Sequence, residues 1–280
     1  MTHNHISFIG CEHPYNDARI VLFGAPFDGT VSFRPGTRFA PSVIRQDSFG
    51  LETYSPYLDK DLKDANVHDA GDIDVVFGNT RKTLDRIRDK AKDIVTSNKI
   101  PFLIGGEHLV TLGAIEALSE RFPNLKVLHF DAHTDLRDSY EDEKLSHATV
   151  MRRVYELLGD KSIYQFGIRS GLKEEFLFAK NHLTIEPFTL NTVGDVVKNL
   201  NANPIYISLD LDVLDPSTMM GTGTPEPGGV TFKELTHALY QLKGLNIVGC
   251  DVVELSPHYD NSGVSTAVAA KLIRELLMIL

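Results

Sequence analysis

The fold of this 280-residue chain is decided by one stretch, His129-Phe130-Asp131-Ala132-His133-Thr134-Asp135, which directly follows the apolar run Leu125-Lys126-Val127-Leu128. The apolar run predicts a buried strand, so the acidic and imidazole side chains would leave its carboxyl end. In open parallel sheets, functional sites are built at that end of the strands. Carboxylates mixed with imidazoles suit Mn, Zn or Fe better than Ca or Mg. The stretch therefore predicts a metal site, if the rest of the chain supplies further ligands.

Short apolar runs alternate with stretches of helical spacing on both sides of this segment. That alternation predicts an α/β fold with a mainly parallel sheet. Residues 51–64 are polar and are expected to be irregular. No repeat, low-complexity segment or linker interrupts the pattern, so residues 1–280 are expected to form a single domain. The predicted strands are 19–23, 67–72, 100–104, 125–130, 162–168, 204–209 and 245–253, and the predicted helices are 41–45 onward, 79–97, 112–122, 146–158, 173–181, 231–242 and 265–280.

Composition limits the classes of partner. The net charge of −10 argues against a nucleic-acid surface, which needs a basic patch. It is compatible with a cationic substrate and equally with an ordinary acidic protein. Two isolated cysteines, Cys11 and Cys250, form no metal or redox motif and fit a reducing compartment. With no signal-peptide pattern and no apolar run near the roughly 20 residues that span a bilayer, we expect a cytoplasmic protein that does not bind membranes.

Four predicted strand ends carry candidate ligands or catalysts. Any one of them alone would be an ordinary turn or capping residue. Together at one sheet edge, the four aspartates would repel one another strongly without cations, and their charge would balance two divalent ions. Two such ions can hold a hydroxide between them, because they lower the pKa of water to near 7. Alternation in an extended backbone would turn the members of each group towards one cavity. The groups are His108, then Asp131 with His133 and Asp135, then Asp210 with Asp212, and finally Glu254.

Two further side chains are candidates for the chemistry itself. His147 precedes a predicted helix, where it could shuttle a proton to a leaving group or simply cap the helix. Glu254 could form a bidentate pair with a planar cation such as guanidinium, or only a salt bridge at a strand end. The glycine-rich stretch 221–229 lacks the helix start that pyrophosphate binding needs, so a shaped loop beside the metal site is predicted instead.

These motifs, in this order, resemble the ureohydrolase family, which includes arginases and agmatinases. The resemblance runs from about residue 20 to the C-terminus. Its most specific part is the pair of motifs Asp131-Ala132-His133-Thr134-Asp135 and Ser208-Leu209-Asp210-Leu211-Asp212-Val213-Leu214-Asp215-Pro216. Further matches are Gly105-Gly106-Glu107-His108, Ser146-His147-Ala148, Gly221-Thr222-Gly223-Thr224-Pro225 and Glu254.

The resemblance implies a three-layer α/β/α fold with two Mn(II) ions, and a homotrimer or homohexamer. A hydroxide between the ions would attack a guanidinium carbon. His147 would relay a proton, and Glu254 would hold the guanidinium. One ion would be bound by His108, Asp131, Asp135 and Asp210, and the other by Asp131, His133, Asp210 and Asp212, so that Asp131 and Asp210 bridge.

Within the family, three segments resemble those of agmatinases: residues 24–28, 34–41 and 251–260. This resemblance implies hydrolysis of agmatine, a small cationic guanidino substrate, to putrescine and urea. Arginases carry Asn at the position of Arg137, and here the segment before His147 is acidic, which suits an amine tail but also any solvated loop. Arg137 keeps open a substrate with a carboxylate, as in a guanidinobutyrase, a formimidoylglutamase or an arginase. A non-catalytic relative would be expected to lack a ligand, and none of the six is missing. Glu107 replaces the usual Asp, and we expect it to alter the groups that orient His108.

Overall fold

The computed structural model of the protein describes residues 6–200 and 202–280. Met1–His5, in which the sequence predicts no signal peptide, lie outside the described residues. The strands are β1 (Ile20–Gly24), β2 (Tyr54–Ser55), β3 (Lys60–Asp61), β4 (Val67–Asp72), β5 (Ile100–Ile104), β6 (Lys126–Phe130), β7 (Ile163–Ile168), β8 (Thr184–Pro187), β9 (Pro204–Asp210) and β10 (Asn246–Val253). The helices are α1 (Ala40–Ser48), α2 (Thr80–Thr96), α3 (Val110–Arg121), α4 (Val150–Leu158), α5 (Lys173–His182), α6 (Val193–Leu200), α7 (Phe232–Tyr240) and α8 (Val264–Ile279).

Eight of these strands form one sheet in the order β4-β1-β5-β10-β9-β6-β7-β8. Every pairing in this sheet is parallel, so all the strands present their carboxyl ends at the same edge. The four central strands, β5, β10, β9 and β6, are the strands that the four predicted ligand groups follow. Strand order therefore places those groups side by side.

Helices cover both faces of the sheet, and side-chain alternation along each strand supplies both layers. In β1, Ile20 and Leu22 pack on one face, with residues of α1, α6, α7 and α8. Val21 and Phe23 pack on the opposite face, with residues of α2, α3, α4 and α5. Both faces are thus apolar, as a parallel sheet buried on two sides requires. The three-layer α/β/α prediction is confirmed.

The helix starts follow local capping chemistry. Asn79 accepts from the amide of Lys82 at the start of α2, and Thr231 and Glu234 form a capping box at the start of α7. Pro41 lies in the first turn of α1, where its missing amide proton costs nothing. The helix predicted over residues 146–158 has two parts. Ser146 caps a 3-10 turn over residues 147–149, and this turn leads into α4.

Two parts of the secondary structure depart from the sequence pattern. Residues 51–64, expected to be irregular, contain the antiparallel pair of β2 and β3 and the start of a 3-10 turn over Leu62–Ala65. Strand β8 and helix α6 lie in a segment where the pattern predicts neither. None of the helices in the described ranges has both the length and the apolarity to cross a bilayer.

Candidate metal centre

His108 lies between β5 and α3 and brings its imidazole to the carboxyl edge of the sheet. Its Nδ1 atom is 3.1 Å from Oδ2 of Asp131, 3.0 Å from Oδ2 of Asp135 and 3.2 Å from Oδ2 of Asp210. All four side chains are buried. One imidazole nitrogen therefore faces three carboxylates that come from two other strand ends.

The opposite edge of the same ring fixes which nitrogen can coordinate. Nε2 of His108 lies 2.9 Å from the hydroxyl of Ser208, and that hydroxyl donates to Oδ1 of Asp251 at 2.9 Å. Because the Ser208 proton goes to Asp251, the ring must carry its proton on Nε2. Nδ1 then has no hydrogen-bond partner although it is buried. A buried lone pair aimed between three carboxylates is the environment of a cation ligand.

A second group forms around His133. Its Nδ1 atom is 3.0 Å from Oδ2 of Asp212 and 3.4 Å from Oδ1 of Asp131. Asp131 thus turns one oxygen towards each histidine, and it belongs to both of the groups whose ligand atoms lie close enough to hold an ion. The residues present therefore fit two metal ions with Asp131 between them.

The backbone brings these ligands together in a different way from that predicted. Alternation in an extended chain is wrong for both motifs. Strand β6 stops at Phe130, and Asp135 has a φ of 52°, in the left-handed region. After Asp210 the chain enters a 3-10 turn at Leu211–Val213, where the Asp212 amide donates to Asp210 Oδ1 at 2.8 Å. The tight turns, rather than the strand period, aim the side chains inward.

Burial and mutual repulsion shape the titration of these carboxylates. Burial, reinforced by the charges of Asp212 and Asp131, raises the pKa of Asp210 well above its ordinary value. Burial alone would lower the pKa of His108, but its three carboxylate neighbours outweigh that effect and raise it well above its usual range. The cluster thus favours added positive charge, which protons or divalent ions can supply.

Glu254 follows β10 and also has a left-handed φ, of 68°. Its Oε1 atom accepts from the backbone amide of His108 at 2.7 Å, and burial together with the charge of Glu107 raises its pKa well above its ordinary value. Within residues 6–200 and 202–280, no cationic side chain forms a salt bridge with it. The strand-end salt bridge, one of the two sequence hypotheses, is therefore absent from the described part of the protein.

His147 lies at the entrance to the same site. Its backbone amide donates to the Thr30 hydroxyl at 3.1 Å, and its Nε2 lies 3.3 Å from the hydroxyl of Ser32. Burial lowers its pKa from the ordinary histidine value, so the ring is neutral near pH 7. His147 does not cap this turn, because the side chain of Ser146 does so.

A cavity of about 280 Å³ opens over the cluster. Asp131 and Asp212 do not line it and lie below the others. All eight predicted site residues are thus brought to one place. The predicted residues that line the cavity are His108, His133, Asp135, Asp210, His147 and Glu254.

The glycine-rich stretch confirms its predicted place as a shaped loop beside the cluster. Thr222 pairs with Leu255, and the Thr224 hydroxyl lies 3.3 Å from Oδ2 of Asp212. A side chain at Gly223 would approach Oε2 of Glu254 to 3.2 Å. A side chain there would press on the Glu254 carboxylate, so glycine leaves that carboxylate undisturbed.

Sequence reasoning missed several supporting residues. His129 lies two residues before Asp131 and contacts it, and Ser208 and Asp251 hold His108. For His129 and Ser208 the available signal was their position two residues before Asp131 and Asp210; Asp251 had no such signal. The Glu107 carboxylate accepts from the Thr30 amide and hydroxyl. Its expected effect on the groups that orient His108 stays a prediction.

Comparison with known proteins shows which family the chain resembles. A family model described as the Arginase family matches residues 18–279. An agmatinase of Bacillus subtilis is 47% identical, covering 97% of this chain and 95% of that protein. An N(1)-aminopropylagmatine ureohydrolase of Thermococcus kodakarensis is 43% identical, covering 91% and 88%.

A crystal structure from Clostridium difficile, provisionally assigned to the agmatinases, superposes with a TM-score of 0.93 at 51% identity, covering 95% of this chain and 98% of that one. The family match and the close relatives each cover most of the chain, and both agree with the Asp and His cluster found at the sheet edge. This protein belongs to the Arginase family.

Proposed function

We propose that the protein hydrolyses agmatine to putrescine and urea at a site holding two Mn(II) ions. The observation that carries the proposal is the buried carboxylate of Glu254, which has no cationic partner among the described residues and faces a cavity beside two Asp and His groups that share Asp131. A guanidinium is a planar cation that such a carboxylate can bind. The similarity to agmatinases supports the choice of substrate.

Each ligand of the proposed metal pair has a defined place. His108 and Asp135 would hold one ion, His133 and Asp212 the other, and Asp131 and Asp210 would bridge. Mixed carboxylate and imidazole ligands favour Mn(II) over Mg(II) or Ca(II). When bound, the two ions supply an activated water at neutral pH.

The protein's own side chains would do the remaining work. Glu254 orients the guanidinium, because Oε1 is fixed on the His108 amide and the other oxygen is left for the substrate. As the guanidinium carbon becomes tetrahedral, the same negative charge stabilises the positive charge of the attached nitrogens. His147 is neutral near pH 7, so it can accept a proton and pass it to the leaving amine.

The charges around the cavity favour an amine tail over a carboxylate. The lining includes Glu175 as well as the metal-site acids, and its one cation among the described residues is Arg137. That guanidinium lies 3.8 Å from Glu175 and stacks 4.8 Å from the centre of the Tyr140 ring. A substrate carboxylate would have to draw Arg137 away from both. Hydrolysis of a guanidino acid is the second candidate, and Arg137 is the observation that favours it.

A urea-release assay on the Mn(II)-loaded protein tests the proposal. The substrates are agmatine, arginine, 4-guanidinobutyrate and 3-guanidinopropionate at equal concentrations. We expect agmatine to give the highest kcat/KM. Faster turnover of any carboxylate-bearing substrate than of agmatine would contradict the proposal and favour the second candidate.

The setting of this activity is also a proposal. We infer a single domain over residues 1–280, since the family model spans residues 18–279. We also propose a homotrimer or homohexamer, on the resemblance to the family alone. A cytoplasmic location is supported by the two buried thiols. Light scattering after gel filtration would measure the assembly directly.

A further inference from the structure

Glu107 is a fully buried carboxylate that the proposed reaction does not use. Both of its oxygens are directed at one residue of the loop that follows β1. Oε2 accepts from the Thr30 amide at 2.8 Å, and Oε1 accepts from the Thr30 hydroxyl. A buried acid with two bonds to a single threonine holds that threonine in a defined orientation.

The Thr30 hydroxyl has a second partner. It accepts from the backbone amide of His147 at 3.1 Å. A hydroxyl has one proton to donate, and here it is directed to Glu107, so an oxygen lone pair remains for the His147 amide. Glu107, Thr30 and His147 are thus joined by consecutive hydrogen bonds. They run from the end of β5, through the loop after β1, to the turn that leads into α4.

The backbone before Glu107 is packed closely against the loop that carries Thr30. A Cβ atom at Gly106 would lie 1.9 Å from the carbonyl oxygen of Phe27, and the Glu107 amide donates to that same oxygen at 2.8 Å. The two segments are therefore already in closest contact. The remaining distance to Thr30 is spanned by the Glu107 side chain, and a glutamate is long enough to span it.

His147 depends on this loop for its position. Nε2 of its ring is 3.3 Å from the hydroxyl of Ser32, which lies two residues after Thr30 and is exposed. Nδ1 lies 3.2 Å from the hydroxyl of its neighbour Ser146. These two contacts hold the ring, whereas Thr30 binds the backbone amide of His147 and is itself bound by a buried acid. The hydrogen bonds through Thr30 therefore link the backbone of His147 to Glu107 at the sheet edge.

We propose that Glu107 and Thr30 are positioning residues that fix His147 over the cavity. The proposal rests on the proposed function only in giving His147 a role in proton transfer. Neither Thr30 nor Glu107 lines the cavity. Their loss should therefore lower the rate of the chemical step and leave the metal content intact.

Thr30→Val is the direct test, because it keeps the shape and removes the hydroxyl, and Thr30→Ser is its matched control. We expect Thr30→Val to lower kcat by about tenfold with little change in KM, a part of the ~100-fold or more that a general acid or base contributes. Thr30→Ser should retain most of the activity, and both variants should hold the same number of Mn(II) ions as the unmodified protein. A Thr30→Val protein with unchanged kcat, or with reduced metal content, would overturn the proposal.

A double-mutant cycle shows whether the effect passes through His147. In a His147→Ala background, Thr30→Val should cost no further activity, since the group it positions is gone. Equal losses in both backgrounds would show a general structural role and overturn the proposal.

Failure of the proposed substrate would be distinguishable from failure of this inference. The cycle is measured with whichever guanidino compound the unmodified protein hydrolyses fastest. Hydrogen exchange at the His147 amide gives a readout without substrate. It should be faster in Thr30→Val and unchanged in Thr30→Ser, and equal exchange in all three proteins would overturn the proposal whatever the substrate.

Discussion

His129 donates a hydrogen bond from its Nε2 to Oδ2 of Asp131 over 2.7 Å. The direction follows from Gln165, whose amide nitrogen donates to the carbonyl of Thr134 at 2.7 Å and lies 3.0 Å from Nδ1 of His129. Nδ1 must therefore accept, and the ring proton is on Nε2. A nitrogen that carries a proton cannot bind a metal, so His129 supports Asp131, although its ring lies close enough to His108, Asp131 and Asp135 to share an ion with them.

His129→Leu should weaken metal binding while leaving the fold intact. Residues that hydrogen-bond to a metal ligand typically contribute ~10–100-fold in affinity. His129→Gln is the control, because its amide can still donate to Asp131. Chelator competition with Mn(II) measures the affinity of each protein. Tight binding by His129→Leu, equal to that of the unmodified protein, would rule out the supporting role.

Asp210→Ala and His147→Ala should separate metal binding from proton transfer. Removing Asp210 takes away a proposed bridge, so we expect fewer than two ions per chain and no activity. Removing His147 should keep two ions and lower kcat by ~100-fold or more. Elemental analysis after gel filtration counts the ions. Two ions in Asp210→Ala would contradict its bridging role.

The ligand groups could be predicted from sequence because each is short and follows an apolar run. Asp131, His133 and Asp135 lie within five residues. The alternation of strands and helices predicts a parallel sheet, in which the carboxyl ends of the strands meet at one edge. The meeting of these side chains could be predicted even though the predicted backbone conformation was wrong. The positive φ of Asp135 replaces the predicted extended geometry, yet the side chain still reaches His108.

The supporting contacts could not be predicted, because they join residues far apart in the chain. His108 and Ser208 are 100 positions apart, and Thr30 and Glu107 are 77 apart. Both contacts depend on strand order: the first on β10 lying between β5 and β9, and the second on β1 lying beside β5. Local spacing carries no information about that order. The partner of Glu107 could not be foreseen for the same reason.

Glu254→Gln should abolish most activity without loss of metal. The amide keeps an oxygen for the His108 amide but loses the negative charge that would hold a guanidinium. We expect kcat/KM to fall by ~100–1,000-fold, the usual cost of one electrostatic contact to a transition state. Steady-state kinetics with parallel metal analysis measures this. Near-normal kcat/KM would mean that the guanidinium binds elsewhere.

Arg137→Gln should not impair agmatine hydrolysis. Arg137 is occupied by Glu175 and Tyr140, and its removal makes the cavity more negative. KM for agmatine should therefore stay the same or fall by up to about fivefold, the scale of one partly exposed charge. Arg137→Lys retains the charge and is the control. A tenfold loss of agmatine turnover in Arg137→Gln but not in Arg137→Lys would show that Arg137 takes part in substrate binding.

Asp215→Asn should destabilise the protein at neutral pH and much less in acid. Hydrogen bonds from Ser217 and from the amides of Gly228 and Gly229 lower the pKa of Asp215 to about 2, so its charged form ties down the glycine-rich loop. For a carboxyl whose pKa is lower in the folded state, this stability is present above the unfolded value of about 4 and is lost as the pH falls towards 2. The difference in Tm between the two proteins, measured by circular dichroism from pH 7 to pH 3, should therefore shrink as the pH drops below about 4. A difference that stays constant over this range would show that the loop does not depend on the charge of Asp215.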